Sequence, residues 1–321
     1  MYFMNYYFLM LIFNLSIVFT LSCSSWLNMW MGMEINLFCF IFLSIKFSFS
    51  YESLMKYFLI QASSSMLFIF SLTLNFIYYE EWSNPTMLIP PLALIMKSGL
   101  APLHFWVPNI IKKMNFLAMF LFFTLQKIIP IMIMFYSWFY LVSTLSILNL
   151  ILGSLGGIPQ SSVPKMLIYS SLNNSGWMML SLMNSNVMFY IYFMIYSFIN
   201  FTILFKLNKN NIKWISQLMS SSKQDKLDYS ISMMSLMGLP PLMGFVSKWM
   251  VIYKIYFIYP EAVMIGILTT VFTLIFYVKI FININVYCSM KKWNKLNYNS
   301  SKIFIIVYIN IMGMGLFNFF Y

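Results

Sequence analysis

The stretch KSGLAPLHFWVP, residues 97–108, places a lysine, two prolines and the only histidine of the chain in an otherwise apolar segment. A proline within a helix removes a hydrogen-bond donor and clashes with the preceding turn, so we predict a helix break near Gly99 and Pro102. The stretch MGLPPLMGFVSKW, residues 237–249, predicts a second break, with Lys248 shortly after it. Broken helices at membrane depth are tolerated where they line a hydrated cavity, and secondary transporters bind ions at such places.

The composition indicates an integral membrane protein. Of the 321 residues, 61% are hydrophobic and only 8% are charged, whereas about a quarter of the residues of a soluble domain are charged. The net charge of +12 comes from lysines scattered over short connections and spans, a distribution that does not favour nucleic-acid binding. Cys23, Cys39 and Cys288 lack metal-ligand spacing, so we expect neither an iron–sulfur cluster nor a zinc site.

Apolar windows of about 20 residues, each sufficient to cross roughly 30 Å of hydrocarbon, recur along the chain. They predict an all-α polytopic membrane protein with about eleven transmembrane helices in a single domain, residues 1–321. No basic region precedes the first window, so we expect a retained span rather than a signal peptide. The predicted helices cover residues 2–21, 27–46, 54–77, 86–108, 115–136, 138–158, 165–183, 187–206, 229–252, 257–282 and 302–320.

The two predicted breaks fall on the fourth and ninth helices. This spacing predicts two five-helix repeats, at about 2–136 and 138–282, and an extra helix at about 302–320. Because each repeat has an odd number of spans, the repeats would have opposite orientations in the membrane, as in the inverted repeats of secondary transporters.

Lysines are concentrated in the connections that follow even-numbered helices. Short lysine-rich connections stay on the side of insertion, so the N-terminus is predicted on that side and Tyr321 on the other. Abundant methionine and the absence of arginine indicate a mitochondrial gene, which makes these sides the matrix and the intermembrane space. The lysines of the even connections are Lys46, Lys56, Lys112, Lys113, Lys165, Lys206, Lys209, Lys213, Lys223, Lys226, Lys291, Lys292, Lys295 and Lys302, whereas the odd connections hold Glu80, Glu81, Glu261 and Lys254.

Five ionisable residues fall inside predicted spans: Glu34, Lys97, Lys127, Lys248 and Lys279. Such a charge costs several kcal/mol unless it is paired or hydrated. Lys127 lies roughly 18 and 14 Å from the ends of its helix, at about 1.5 Å per residue, which is beyond the reach of a snorkelling side chain. Lys279 is near enough to a helix end to snorkel. We therefore predict functional roles for Glu34, Lys97, Lys127 and Lys248.

Two further features are His104, whose role has two interpretations, and a glycine cluster that predicts helix packing. His104 is either a packing histidine or a proton relay, and alone it cannot build a metal site. The cluster GSLGG, residues 153–157, predicts close helix packing rather than a phosphate-binding loop. The sequence contains no nucleophile–base pair and no dinucleotide fingerprint.

Four motifs carry a family resemblance: KSGLAPLHFWVP, TLQKIIP at 124–130, YSSLNNSGWM at 169–178 and GLPPLMGFVSKW at 238–249. In this order they resemble the chain 2 family of NADH:ubiquinone oxidoreductase, respiratory complex I, and MGMEINLF at 31–38 resembles that family's glutamate-bearing helix. The family is related to cation/proton antiporters. The resemblance implies that Glu34 pairs with Lys97, that Lys127 is central and that Lys248 faces an outlet. Asn174 stands where the family commonly has a histidine, and it cannot titrate.

The resemblance also implies a function and partners. We expect a proton-translocating membrane-arm subunit of complex I in the mitochondrial inner membrane, with no redox cofactor in this chain. NADH, FMN, iron–sulfur clusters and ubiquinone would be bound elsewhere in the complex. The expected partners are other membrane-arm subunits and lipids, with cardiolipin a candidate at the lysine-rich matrix side, and no nucleic acid. The alternatives are an independent cation/proton antiporter and a membrane scaffold whose buried charges are inert.

Overall fold

The computed structural model describes residues 2–46, 50–78, 88–220, 223–240 and 242–286. Over these ranges the regular structure is helical, apart from one isolated bridge between Ser162 and Trp214. Six helical segments are long and apolar enough to cross a membrane, so the chain is a multi-pass helical protein, as predicted. They are Trp26–Lys46, Tyr51–Leu74, Phe116–Ser137, Phe139–Gly157, Asn186–Asn210 and Pro260–Ile282.

Part of the predicted topology lies outside the described residues. This applies to the helix at 302–320, to Tyr321, to Cys288, and to the charged residues Glu80, Glu81, Lys291, Lys292, Lys295 and Lys302. The total of eleven helices and the inverted repeat therefore stay predictions. The chain divides into two compact units after Val142, close to the predicted boundary between the repeats.

The first unit is a bundle in which consecutive helices pack on one another. α1 packs on α2, α2 on α3 and α3 on α4, while α7 contacts both α1 and α4. The bounds are α1 Tyr2–Ser22, α2 Trp26–Lys46, α3 Tyr51–Tyr78, α4 Ile89–Ser98, α5 Val107–Ile111, α6 Phe116–Phe123 and α7 Leu125–Ser137.

The predicted break of the fourth span is confirmed, since α4 ends at Ser98 and helix resumes only at Val107. Gly99 has a φ of 64°, a left-handed conformation that glycine adopts without steric cost. Its N–H donates to Met96 at 3.3 Å, and the N–H of Leu100 donates to Ile95 at 3.2 Å. This pair of bonds is the Schellman motif, which satisfies carbonyl groups at the end of a helix.

The fifth span is kinked rather than continuous, which the sequence analysis did not predict. α6 and α7 are separated by Thr124, whose φ of −109° and ψ of −88° are not helical. The Thr124 hydroxyl donates to the carbonyl oxygen of Phe120 at 2.6 Å, a type of bond that bends helices. Pro130 inside α7 removes a further backbone donor. The kink places Lys127 in the first turn of α7.

The second unit is built around a helix that is buried along almost its whole length. This helix is α9, and α10 and α12 pack on it, while α11 packs on α10 and α13. The bounds are α8 Phe139–Gly157, which begins just before the division, α9 Val163–Asn184, α10 Asn186–Asn210, a 3₁₀ helix Ile215–Ser220, α11 Lys223–Met237, α12 Met243–Ile255 and α13 Pro260–Val286.

The GSLGG cluster packs α8 against α9, as predicted. A Cβ atom on Gly153 would lie 2.5 Å from the backbone nitrogen of Asn173, and one on Gly156 would lie 2.3 Å from the ring of Tyr169. Side chains at these positions would therefore push the two helices apart.

The second predicted break is also confirmed, between α11 and α12. Gly238 has a φ of 82°, and its N–H donates to Ser235 at 3.1 Å. The N–H of Leu239 donates to Met234 at 3.4 Å. The two breaks thus share the same Schellman motif and the same sequence, glycine followed by leucine.

Within each unit, the connections predicted on the lysine-rich side meet one another. In the first unit Glu52 at the start of α3 pairs with Lys56 and with Lys113, which follows α5. In the second unit the bridge between Ser162 and Trp214 joins the segment before α9 to the segment after α10. These contacts agree with even-numbered connections that share a side within each unit.

Candidate functional site: buried lysines at two helix breaks

The first part of the candidate site is an ion pair between α2 and the last turn of α4. Lys97 Nζ lies 3.3 Å from Glu34 Oε1, and the two side chains are 8% and 19% exposed. A buried charge is tolerated when an opposite charge compensates for its lost hydration, which this geometry provides. The sequence analysis placed these two residues together through the family resemblance.

The break in α4 creates the polar surroundings of this pair. Because the helix ends at Ser98, the carbonyl group of Lys97 has no donor from a next turn, and Gln61 on α3 donates to it at 3.0 Å. The end of the helix also carries a partial negative charge that favours a cation such as Lys97. Gly99 is needed here because a Cβ atom would lie 2.5 Å from Val107 Cγ2.

A small cavity connects the surroundings of Lys97 with α7. Its polar lining comes from Asn36, Gln61, Lys97 and Gln126. The space open to the centre of a water molecule is about 20 Å³, which is enough for about one water. Among the described residues, the buried Gln126 Nε2 has no hydrogen-bond partner. The next residue is Lys127, which is only 3% exposed.

The second part of the site lies at the break in the second unit, where Lys248 on α12 is 5% exposed. Its Nζ donates to the carbonyl oxygen of Met237 at 2.6 Å and to that of Leu236 at 3.3 Å. Lys248 therefore caps the C-terminal end of α11, where a cation is stabilised by the helix dipole. A Cβ atom on Gly238 would lie 2.9 Å from Lys248 Cδ, so the glycine also makes room for the lysine stem.

The two breaks satisfy equivalent carbonyl groups with different donors. Lys97 and Leu236 each lie two residues before the glycine of their break. A neutral amide, Gln61, donates to the carbonyl of Lys97, whereas an amine, Lys248, donates to that of Leu236. The backbone motif is the same at both breaks, but the lysines differ in position. Lys97 belongs to α4, the helix that ends at the first break, whereas Lys248 belongs to α12, the helix that follows the second break.

A second small cavity lies beside Lys248. Asn174 on α9 lines it, and so do Tyr192 on α10 and Ser235 on α11. The Tyr192 hydroxyl donates to Asn174 Oδ1 at 2.9 Å, and Asn174 Nδ2 donates to the carbonyl oxygen of Ser170 at 2.9 Å. The amide of Asn174 is thus held in one orientation, with its oxygen towards the tyrosine.

Comparison with known proteins identifies the family. The family model described as NADH:quinone oxidoreductase/Mrp antiporter, transmembrane, matches residues 23–273. The chain is 34% identical to NADH-ubiquinone oxidoreductase chain 2 of Anopheles gambiae, over 97% of this chain and 95% of that one. This chain belongs to the NADH-ubiquinone oxidoreductase chain 2 family. Chain 2 of Aedes aegypti is 33% identical over the same shares of the two chains.

Chains of larger membrane complexes share the fold of this chain 2 family member. A chain of respiratory complex I from Thermus thermophilus matches with a TM-score of 0.79 and 18% identity, over 96% of this chain and 78% of that one. A chain of the Mrp complex from Dietzia matches with a TM-score of 0.72 and 16% identity, over 86% of this chain and 60% of that one. At these identities the matches show a shared fold.

The sequence analysis of this chain 2 family member also discussed His104, Lys279 and Asn174, and the structure places them in three different surroundings. His104 is 3% exposed in the non-helical link between α4 and α5, where Nδ1 lies 3.2 Å from the carbonyl oxygen of Pro102. Because α4 ends at Ser98, His104 does not continue the helical face of Lys97. Lys279 is exposed on α13. Asn174 lies beside Lys248, at the cavity described above.

Sequence reasoning missed several polar residues of the site. Gln61 and Gln126 each interrupt an apolar span, and that interruption is the signal that could have identified them. Lys206 was assigned to topology, but it is 7% exposed and lies 3.6 Å from Asp228. Within the described ranges, no three His, Cys, Asp or Glu residues are grouped as metal ligands would be.

Proposed function

We propose that this chain is a proton-translocating membrane-arm subunit of mitochondrial respiratory complex I. The observation that carries the proposal is the buried pair of Glu34 and Lys97 at the break of α4. Ionisable residues inside a membrane are costly, and they commonly mark proton or ion paths. Membership in the chain 2 family supports the assignment to complex I.

The proposed mechanism depends on how a buried amine holds its proton. Low dielectric surroundings favour the neutral amine, and a nearby carboxylate favours the charged form. If quinone reduction elsewhere in the complex moves charge near Glu34, the proton affinity of Lys97 changes. Moving one charge against about 100 mV costs roughly 2.3 kcal/mol. Breaking a buried ion pair costs about 3–5 kcal/mol, so a change in the 3.3 Å contact between Glu34 and Lys97 is large enough to drive that movement.

The cavity beside Lys97 supports the next step of the proposal. One water bound there would lie between Lys97 and Gln126. Lys127 follows Gln126 on α7 but does not line this cavity, so a proton would need a further step to reach it. We place Lys127 as the central carrier and Lys248 as the residue that releases protons on the outlet side. His104 stays in the proposal as a candidate relay in the link after α4. Asn174 holds its hydrogen bonds without titrating, so any relay beside Lys248 would pass through water or hydroxyl groups.

The proposal also covers location, partners and cofactors. The N-terminus would lie in the matrix and Tyr321 in the intermembrane space of the inner membrane, because the lysine-rich connections follow even-numbered helices. Other membrane-arm subunits would be the protein partners. NADH, FMN, iron–sulfur clusters and ubiquinone would be bound by other chains, and this chain would contribute proton transfer alone.

A second candidate function is cation/proton exchange without electron transfer. It is favoured by the family model, whose description includes the Mrp antiporter, and by the fold shared with the Dietzia complex. The two functions differ in their energy source. NADH oxidation drives the first, and a cation gradient drives the second.

The test is to purify the chain in mild detergent with the subunits that accompany it and to reconstitute the preparation in sealed liposomes. We expect NADH:ubiquinone activity to co-migrate with the chain and to acidify the liposome interior. Glu34→Gln should abolish most of that acidification, whereas Glu52→Gln, at an exposed pair, should leave it unchanged. Proton movement driven by a sodium or potassium gradient, with no NADH activity in the preparation, would support the antiporter instead.

A further inference from the structure

A third and larger cavity lies between the C-terminal end of α10 and the N-terminal end of α11. The space open to the centre of a water molecule is about 210 Å³, enough for several waters. The cavities beside Lys97 and Lys248 have about 20 and 10 Å³ of such space. The residues that line the large cavity include Phe201, Phe205, Lys206, Lys209, Asp225 and Asp228.

The most buried charge in this cavity has unused hydrogen-bond donors. Lys206 is 7% exposed, and its Nζ has no hydrogen-bond partner among the described residues. The Asp228 carboxylate lies 3.6 Å away, beyond the usual hydrogen-bond range of about 2.7–3.2 Å. An ammonium group has three donors and is costly to bury unsatisfied, so this side of the cavity is suited to a hydrogen-bond acceptor in addition to Asp228.

The charges of the cavity balance. Lys206 and Lys209 lie one turn apart on α10, and Asp225 and Asp228 lie one turn apart on α11. Because the two lysines and the two carboxylates carry equal and opposite charge, a zwitterionic ligand would match both sides and add no net charge to the cavity.

One wall of the cavity is apolar and faces outwards from a membrane-crossing helix. Phe201 and Phe205 are 45% and 56% exposed, and their rings stack with centroids 6.0 Å apart. α10 ends only five residues after Phe205, at Asn210, so the wall lies next to the end of the span. This order of apolar surface and then charge matches a phospholipid, whose chains lie in hydrocarbon and whose headgroup lies at the interface.

We propose that this cavity binds the headgroup of phosphatidylethanolamine. The phosphate accepts hydrogen bonds from Lys206 and Lys209, the primary ammonium group donates to Asp225 and Asp228, and an acyl chain lies on Phe201 and Phe205. Cardiolipin fits this cavity poorly because it carries two phosphates and no ammonium group that could donate to the carboxylates. Phosphatidylcholine has a quaternary ammonium group without an N–H donor for those carboxylates. The site does not depend on the proposed function.

Photo-crosslinking tests the site in the chain purified with its accompanying subunits. The preparation is placed in nanodiscs of phosphatidylcholine with a small fraction of phosphatidylethanolamine that carries a diazirine near the top of one acyl chain. We expect labelling within residues 201–209, mapped by mass spectrometry. Unlabelled phosphatidylethanolamine should compete at least tenfold better than added phosphatidylcholine or cardiolipin. Equal or better competition by cardiolipin, or no labelling of this segment, would overturn the proposal.

Variants assign the labelling to the charged residues. The double substitution Lys206→Met with Asp228→Asn removes the pair without leaving one buried charge alone, and it should lower labelling at least tenfold. Lys254→Met, at an exposed lysine of α12, is the matched control and should label as wild type does. Unchanged labelling in the double variant would refute the headgroup contacts. If the double variant fails to assemble, the competition among unlabelled lipids on the wild-type chain still decides.

Discussion

Lys248 Nζ lies 2.6 Å from the carbonyl oxygen of Met237, so a side chain of α12 caps the end of α11 across the helix break. At this position Lys248 both caps a helix end and can hold or release a proton. A charged lysine at a helix C-terminus is stabilised by the dipole, by up to about 2 kcal/mol when partly buried. A lysine that released its proton would lose that stabilisation, which links the proton to the geometry of the break.

Replacement of Lys248 by methionine should therefore loosen the end of α11. The carbonyl groups of Leu236 and Met237 would lose their donor, at a cost of about 1–3 kcal/mol for each buried unsatisfied group. We expect faster amide hydrogen exchange at Gly238 and Leu239 in the purified complex, together with loss of NADH-driven proton pumping.

The matched control for this substitution is Lys254→Met, at an exposed position on the same helix. Surface substitutions of this kind usually change stability by less than about 0.5 kcal/mol. Unaltered exchange at Gly238 in Lys248→Met would show that the lysine does not hold the helix end.

Gly238→Ala should destabilise the same break for a different reason. The φ of 82° disfavours any residue with a Cβ atom, and that atom would lie 2.9 Å from Lys248 Cδ. We expect a loss of about 1–3 kcal/mol, seen as a lower thermal transition or a lower yield of assembled complex. Asn211→Gly is the control, because it keeps a residue suited to the left-handed φ of 48° at the end of α10, and it should be neutral. Equal stability of Gly238→Ala and wild type would contradict the strain argument.

Both breaks could be predicted from the sequence because their causes are local. Glycine followed by proline two or three residues later favours a helix end largely independently of the surroundings, and the Schellman bonds at Gly99 and Gly238 follow from the same local chemistry. The kink at Thr124 was missed because a threonine in a helix bends it only when its hydroxyl bonds to the preceding turn. Sequence alone does not show which rotamer the packing selects.

The surroundings of the site were harder to predict because they join distant segments. The donor to the carbonyl of Lys97 is Gln61, 36 residues earlier in the chain. The sequence analysis assigned Lys206 to a lysine-rich connection, yet α11 packs on α10 and brings Asp228 to 3.6 Å from it. The positions of charges along a chain predict a topology, but burial of a helix-end charge depends on the neighbouring helix that packs on it.

A double-mutant cycle on Glu34 and Lys97 should reveal a strong coupling. Removing one partner leaves a buried charge uncompensated, at a cost of about 3–5 kcal/mol, whereas Glu34→Gln combined with Lys97→Met removes both charges. We expect each single variant to lower the thermal stability of the purified complex more than the double variant does. Glu52→Gln, at a carboxylate that is 59% exposed, should cost at most about 1 kcal/mol. Additive losses in the cycle would mean that the 3.3 Å contact carries no net interaction.

Gln126→Leu tests whether the cavity beside Lys97 takes part in proton transfer, because it should change the cavity without lowering the stability of the protein. Among the described residues, the amide nitrogen of Gln126 has no partner, so leucine of similar size removes no hydrogen bond made by that nitrogen. We expect stability equal to or higher than wild type. Proton pumping per NADH oxidised should nevertheless fall, because the cavity loses the polar group that would hold a water. Pumping at the wild-type ratio in this variant would exclude the cavity from the proton path.

Lys127→Met tests the residue on which the proposed path depends most. The side chain is 3% exposed in the first turn of α7, and methionine keeps its length and flexibility while removing the charge. If Lys127 only balanced a neighbouring charge, its loss would leave that charge unpaired, and assembly would suffer. If it carries protons, the complex should assemble and remain stable while proton pumping and the coupled quinone reduction fall strongly. Lys112→Met, at an exposed lysine of the same unit, should leave both activities unchanged. Normal turnover and pumping in a fully assembled Lys127→Met complex would show that protons do not pass through this residue.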